Sequence, residues 1–451
     1  MAELLGPETD DFLAALATPA AGLRVNTLRL APERFREICP LELAPLPFPP
    51  EGFLVADDSR PGAHPYHAAG LYYLQDPGAM VVGALPELPP EARVLDLAAA
   101  PGGKATHLAA RMAGSGVLIA NDLHPGRAWE LAGNLERIGA RNAIVTADRP
   151  DRLADRWGAW FDLVLVDAPC SGESMFHKSD AARREWSLNS VLGCARRQGD
   201  LLRDAVRLVR PGGTLLYSTC TFAPEENEAV LTGLLAAEPE LEMAVLPSIP
   251  GASPGRPDWA GPGADAEIAR ALRLWPHHLP GAGHFVAGLQ RSGGSTRHRA
   301  AAAEEGSYGE ALEGEPLRLF QEFSAESLHS LPLAGHRLTL EGEEVYAVPA
   351  GAPGLSEIRV LRPGWWLGTA RKGRFEPSHS LAMALSPADV AEALVVDPGS
   401  DAASAYLRGE ALRDAGIKGW VWIAVDGFPL GWGKRSDTTI KNHYPKGLRR
   451  R

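Results

Sequence analysis

Cysteine is scarce: there are four in 451 residues, at positions 39, 170, 194 and 220. That excludes a disulfide scaffold. No two of them form a CxxC pair or stand with histidine at zinc-ligand spacing, which argues against a structural metal site. The chain therefore reads as one kept in a reducing, cytoplasmic compartment. Long apolar stretches are missing as well. No run approaches the ~18 residues that a membrane span needs. The opening MAELLGPETDDFLAAL carries acids where a secretory leader would carry a positive region. Positive charge is in deficit, with 45 Lys and Arg against 56 Asp and Glu and a net charge of −11. This weighs slightly against a nucleic-acid partner, although such an average conceals any local basic face. No internal repeat is visible.

What is present belongs to a folded protein of several domains. Hydrophobic residues make up 45% and charged residues 22%, a balance that supports packed cores. At ~150 residues per domain the length suggests about three domains. The 48 glycines and 38 prolines imply many turns without reaching the ~25–30% of a disordered chain.

Residues 1–70 combine a short amphipathic helix (Asp11–Leu16) with apolar pieces broken by proline, and are expected to form a small α+β unit. From 71 to 290 apolar runs alternate with helical stretches. Residues 291–316, small and polar with a run of glutamates, read as a flexible linker. The segment 317–451 is richer in β-type runs and is expected to be a separate, mostly β region. In it Asp426-Gly427 between apolar arms signals a hairpin, Trp365-Trp366 read as core, and one helix is expected at Ala388–Leu394 behind Ser386-Pro387.

The middle segment is the informative one. The apolar runs 94–99, 116–122, 143–148, 161–167 and 213–220 have the length of strands buried on both faces. Helical stretches separate them, among them Pro125–Ile138 and a long one through Ser187–Val209. The alternation predicts a doubly wound parallel α/β sheet of the Rossmann type. Ligands of such sheets bind at the carboxyl ends of the strands, where this chain carries Asp122, Asp148, Asp167 and Cys220. An acid there often only caps the next helix, but four polar groups on consecutive strand ends beside a glycine-rich turn argue for a site.

That turn is LDLAAAPGGKATHLA. It is neither GxGxxG nor a Walker loop. Ala98, Ala99 and Ala100 allow close backbone approach, Pro101 stiffens the turn, and Gly102 and Gly103 open a helix whose free amides favour an anion. With no phosphate signature, the carboxylate of S-adenosylmethionine is the better candidate. Asp122 would accept from ribose hydroxyls and Asp148 from an adenine amino group. Lys104 either contacts the carboxylate or lies on a solvated helix face, and both readings stay open.

Cys170 and Cys220, in DAPCSG (167–172) and YSTCTFAPEENE (217–228), both follow strands at the ligand edge, where turns and helix starts stabilise a thiolate. Cys39 and Cys194 read as small core residues. In these motifs, with RVNTL (24–28), LQDPGAM (74–80), LDLAAAPGGK (95–104), DLHPGR (122–127), NLERIG (134–139) and RLWPHHLPGAGHFVA (273–287), the chain resembles the Nol/Nop/Sun family of RNA 5-methylcytosine methyltransferases. The resemblance covers residues from about 20 to 290. FPLGWGKRSDTTIKNHYPKGLR near the C-terminus looks like the bacterial 16S rRNA enzymes of that family, which append a PUA-like domain. Two departures, Ala98 where the family often has Cys and Ala105 where Thr usually follows the lysine, touch no chemical group.

The resemblance implies a class I, Rossmann-like methyltransferase domain with an RRM-like N-terminal unit. Its cofactor would be S-adenosylmethionine and its substrate 16S rRNA or the 30S subunit, in the decoding-region helix. Cys220 would be the nucleophile that adds to cytosine carbon 6, and Cys170 would help release by removing the carbon 5 proton. Asp167, also set against the cofactor, would hold the base edge and so be protonated or share a proton, as burial in a base pocket favours. The target base must leave its stack, and the basic tail Lys434, Arg435, Lys441, Lys446 and Arg449–Arg451, with His443 and Tyr444 as stacking groups, is expected to contact RNA. No membrane, DNA or resident metal is expected, His277-His278 lacking a third ligand, and the chain is expected to act as a monomer. Rival readings are a DNA cytosine methyltransferase with Cys170 as nucleophile, action on tRNA or another rRNA site, and a non-catalytic rRNA-binding assembly factor.

Overall fold

In the computed structural model, which describes residues 1–56, 59–293 and 308–450, all five apolar runs of the middle segment are strands. They are β1 (Arg93–Asp96), β2 (Val117–Asn121), β3 (Ala143–Thr146), β4 (Phe161–Asp167) and β5 (Val209–Thr219). They lie parallel in the order β5-β4-β1-β2-β3. Val94, Leu95, Leu118, Ile119, Ile144, Val164 and Leu165 are completely buried, because helices cover both faces. Helix α1 (Gly103–Met112) follows β1, α2 (Pro125–Ile138) follows β2, and α3 (Leu188–Leu208) precedes β5. Pro125 starts α2, Gly139 in left-handed conformation ends it, and Ala128, Leu131, Ala132, Leu135 and Ile138 form its buried stripe.

The sheet is mixed rather than wholly parallel. Strand β6 (His284–Arg291) runs antiparallel beside β5, with Leu272–Leu274 and Ser253–Pro254 beyond it. At the opposite edge β7 (Val360–Arg362) pairs antiparallel with β3. HFVAGLQR is as apolar as a parallel strand, so apolar content does not report strand direction. Strand β7 also shows that the region 317–451 is not detached. The Trp157 indole donates to Gly354 O at 3.0 Å, and Tyr346, Val348, Ala352 and Leu355 belong to the same core as β4 and β5.

The N-terminal unit is a four-stranded antiparallel sheet whose edge strand is Tyr72–Leu74. The boundary expected at residue 70 therefore falls one strand too early, since LYYL looks alike whether it closes one unit or opens the next. RVNTL is a seam: Arg24 donates to Gly103 O at 2.7 Å and Thr106 Oγ1 at 2.8 Å, and Asn26 Nδ2 to Gly70 O and Ile138 O.

Of the expected linker, residues 294–307 lie outside the described residues. The rest ends sooner than expected, in a strand at Glu310–Ala311 and a helix over Gly314–Ser327. The C-terminal region contains two five-stranded sheets. Asp426 and Gly427 adopt φ of 49° and 82° in the hairpin turn that the sequence predicts. The expected helix at Ala388–Leu394 is absent. Asp389 bonds back to Ser386 and closes a single turn, and Ala393–Val396 becomes a strand parallel to Gly419–Val425, as its two valines favour. One face of this last sheet (Val421, Ile423, Ile440) shares a core with Leu23, Val25 and Phe53 of the N-terminal sheet. The two ends of the chain thus fold together. No helix among the described residues is long and apolar enough to cross a membrane.

Glu136 on α2 ties this arrangement to the central parallel strands, lying between Arg362 and His379. Burial alone would raise its carboxyl, but His379 and Arg362 hold it at about 2. A depressed acid stabilises the fold above its unfolded value, and that contribution disappears as pH falls from the ordinary carboxylate range towards about 2. Glu136→Gln leaves a buried cation without its partner and is expected to cost about 3–5 kcal/mol, read as a lowered Tm at neutral pH. The variant's stability should in turn fall less steeply on the acid limb than that of the wild type.

Candidate active site

Strand β1 lies between β2 and β4, the switch point at which chain connections diverge and a crevice opens above the strand ends. A cavity of about 230 Å³ occupies it, lined by Asp96, Ala98, Ala99, Ala100, Pro101, Gly103, Lys104 and Asp167, with Tyr73, Gln75 and Asp76 on the N-terminal side. Gly102 is favoured by its φ of +115°, which L side chains rarely adopt. Asp96 is the site residue that the sequence reading missed. It ends β1 as Asp167 ends β4, a signal already present in the run LDLAA. Its carboxylate is fully buried, neither oxygen has a hydrogen-bond partner, and only the Ala98 amide favours its charge from the backbone. Burial and the nearby Asp167 push it up to about 8. A buried acid without a partner in a ligand-sized cavity fits a cationic group, and S-adenosylmethionine offers an ammonium and a sulfonium. Asp96→Asn is expected to weaken cofactor binding about 10–100-fold, measured by calorimetry, with the fold intact.

Asp122 ends beyond the cavity wall. It accepts from His124 N at 3.0 Å and stands 3.4 Å from Arg127 Nη1, while Arg127 Nη2 donates to Ala100 O at 2.8 Å. Asp148 is buried at the end of β3 and already holds protein partners. Its carboxylate accepts from Arg149 N at 2.8 Å, Arg152 Nη1 at 3.2 Å and Arg359 N at 2.9 Å. It therefore serves the seam with β7, a neighbour more than two hundred residues away that no local pattern announces.

Next to the cavity, and sharing Ala98, Ala100 and Asp167 with it, lies an open cleft of about 580 Å³. Cys170 and Cys220 stand in it with their sulfurs 3.2 Å apart. The Cys170 thiol hydrogen-bonds the Cys220 sulfur, which lowers Cys220 despite its burial, with Ser174 and the Lys104 ammonium assisting. The same bond, burial and the Cys220 charge push Cys170 up. The pair is thus polarised, with thiolate character on Cys220. Trp186, Arg127 and Arg197 line the cleft, and Cys194, buried as expected, forms part of its wall.

Lys104 is not on a solvated face. It is buried, and its Nζ donates to Asp167 Oδ2 at 2.7 Å, while Ser218 Oγ donates to Oδ1 at 2.7 Å. Burial alone would raise Asp167, but Lys104, His284 and these hydrogen bonds hold it below the usual carboxylate range. Without a base in the cleft Asp167 is therefore held as a carboxylate, and the proton at that edge is borne by the Lys104 ammonium. Burial and Lys104 push His284 down to about 4. Two acids of APEENE are scaffold: Glu226 accepts from Ser171 N and Gln198, and Glu228 holds Arg273 in a buried two-point ion pair.

The C-terminal basic residues divide. Arg435 is buried against Glu392 and Asp414, and Tyr444 is buried against Tyr406 and His379, so neither is available to RNA. Arg449 and Arg450 bond the backbone at Tyr444 and His64. Lys434, Lys441, Lys446 and His443 are exposed. His277 and His278, which lacked a third ligand in the sequence, meet Glu8.

A mixed sheet of this order, with an acid-lined cavity above β1 and β4, defines an S-adenosylmethionine-dependent methyltransferase. Four family models match in register with the units described above. They are the N-terminal domain of 16S rRNA methyltransferase RsmF over residues 1–77, 16S rRNA methyltransferase RsmB/F over 85–290, the RsmF rRNA methyltransferase first C-terminal domain over 322–385, and the methyltransferase RsmF PUA domain over 393–450. Ribosomal RNA small subunit methyltransferase F of Vibrio vulnificus is 33% identical over 461 residues, covering 97% of this chain and 93% of its own. The Klebsiella pneumoniae protein of the same name is 31% identical over 457 residues, covering 97% and 92%. A methyltransferase homolog from Pyrococcus horikoshii, solved as a crystal structure, superposes with a TM-score of 0.57 at 29% identity, over 63% of this chain and 91% of that one. The chain belongs to the ribosomal RNA small subunit methyltransferase F family.

Proposed function

We infer that this protein methylates carbon 5 of a cytosine in 16S rRNA, in the decoding-region helix, through a covalent adduct with Cys220. The relatives' names support the ribosomal RNA substrate. The observation that carries the chemistry is the Cys170–Cys220 pair, sulfurs 3.2 Å apart, in a cleft that shares Asp167 with the cofactor cavity.

S-adenosylmethionine, when bound beside Asp96 and Asp167, supplies an electrophilic sulfonium methyl. The Cys220 thiolate adds to carbon 6 of a cytosine turned out of its stack into the cleft, forming the carbon–sulfur bond and moving electron density to carbon 5. Asp167, ionised, accepts from the exocyclic amino group, and the Lys104 ammonium is the proton-bearing partner at that edge. Once Cys220 is bonded to carbon its charge is gone, and of the influences that held Cys170 up only burial remains from the pair's own environment. Cys170 then gives its own proton to cleft water and becomes the base that removes the carbon 5 proton. Loss of that proton expels the Cys220 thiolate and restores the ring. All these groups come from one chain, consistent with a monomer.

The test is transfer from labelled cofactor to 30S subunits and to naked 16S rRNA, with nucleoside mass spectrometry of the product. 5-Methylcytosine at one decoding-region position is the expected result. Product on tRNA or at another rRNA position would redirect the substrate, and no transfer to any RNA would favour a binding factor.

Trp420, Lys434 and Lys441 lie opposite one another on three adjacent strands. The Lys434 ammonium is 5.0 Å over the Trp420 ring, and His443 is 4.7 Å from it. Such an aromatic and basic row suits RNA. Lys434→Glu/Lys441→Glu is expected to raise KM for the RNA by about 100-fold with kcat unchanged, and to flatten the dependence of log affinity on log salt by about 1.5–2.

A further inference from the structure

We propose that Glu8, His277 and His278 form a binding site for a zinc-like divalent transition metal, which clamps the N-terminal helix onto the loop carrying Cys220. His277 Nε2 and His278 Nε2 each stand 3.0 Å from the same oxygen, Glu8 Oε2, and the three ligand atoms all lie within 4.8 Å of one another. The two imidazole rings are 4.1 Å apart. Two imidazole nitrogens and one carboxylate oxygen are the donor set of zinc, cobalt or nickel rather than of magnesium or calcium. Metal–ligand bonds of about 2.0–2.1 Å in a tetrahedron separate donors by about 3.3 Å, close to the 3.0 Å that each Nε2 keeps from Glu8 Oε2. His277 is nearly buried while His278 and Glu8 reach solvent, with side-chain exposures of 6%, 36% and 51%. This leaves the fourth position to water.

The location gives the ion a purpose. Glu8 immediately precedes the Thr9–Ala17 helix. From that helix Phe12 packs edge-on against Phe222 at 4.9 Å and Trp275 at 5.8 Å, and Phe222 stacks on Trp275 at 5.3 Å. Phe222 lies two residues beyond Cys220 and its amide donates to Glu173 at 2.8 Å. An ion joining Glu8 to the histidines after Trp275 closes this aromatic cluster from outside and fixes the wall behind the nucleophile. Two consecutive histidines on one carboxylate exceed what an exposed ion pair needs, and a divalent cation satisfies all three donors at once.

The test uses the full-length chain with Cys170→Ser and Cys220→Ser, which removes the thiol pair of the cleft as a competing site. Titration with Co²⁺ should produce the intense visible absorption of a four-coordinate centre, saturating at one equivalent. Zn²⁺ should displace it and raise Tm by about 3 °C or more at saturation. Glu8→Gln and, separately, His278→Gln should abolish both effects while the metal-free Tm stays within about 2 °C of the parent. Absence of the absorption and of the Tm rise in the parent would reduce the cluster to an ion pair and overturn the proposal. So would their persistence in both variants, which would place the ion elsewhere. Neither readout requires methyl transfer, so the outcome is independent of the proposed reaction.

Discussion

Cys220→Ala is expected to abolish methyl transfer, lowering kcat by a factor on the order of 10⁴ or more, the scale on which removal of a covalent nucleophile acts. Cys170→Ala is expected to fail differently. Its nucleophile remains, so the bond to carbon 6 forms and methylation proceeds, but the carbon 5 proton has no base. Protein–RNA adduct should then accumulate and survive denaturing electrophoresis. The asymmetry rests on the thiol pair 3.2 Å apart, whose shared bond lowers Cys220 and raises Cys170. An adduct in Cys220→Ala instead, mapped to Cys170, would exchange the two roles and restore the DNA-type order of events.

Much of this site was legible in the sequence because it is written at strand ends. Asp167, Cys170 and Cys220 follow apolar runs directly, and the position of a residue after a buried strand is a local property. The loop Ala98–Lys104 was legible for the same reason. Asp96 was equally readable but was passed over as the last residue of its strand, and its lack of any partner appears only once packing closes around it. Asp148 shows the opposite limit. Its position after β3 is local, but its partner Arg359 arrives on β7 from the C-terminal region, and long-range antiparallel edges leave no periodicity of their own. Tyr444 and Arg435 failed likewise: a basic, aromatic tail reads as solvated, whereas the shared core of the two chain ends buries the first and two acids neutralise the second. Glu8 reaches His277 and His278 by the same kind of closure, since no spacing rule links residue 8 to residue 277.

The Lys104–Asp167 pair has the second largest expected effect, and its two halves can be separated. Asp167→Asn removes the acceptor at the base edge, and kcat should fall by about 10²–10³; full activity in this variant would remove Asp167 from the reaction. Lys104→Met should lower kcat on a similar scale, because the base edge then loses its proton-bearing partner. The two variants act oppositely on the nucleophile. The Lys104 charge lowers Cys220 and the Asp167 charge raises it. Thiolate is the reactive form, so activity rises with pH until Cys220 is ionised. Without Lys104 that limb should move to higher pH, and without Asp167 to lower pH. The pH dependence of Cys220 alkylation by iodoacetamide, measured in a Cys170→Ala background, reads this shift without RNA or cofactor. Shifts in the same direction for both variants would mean that neither charge acts on the thiol, and that Lys104 and Asp167 serve the substrate alone.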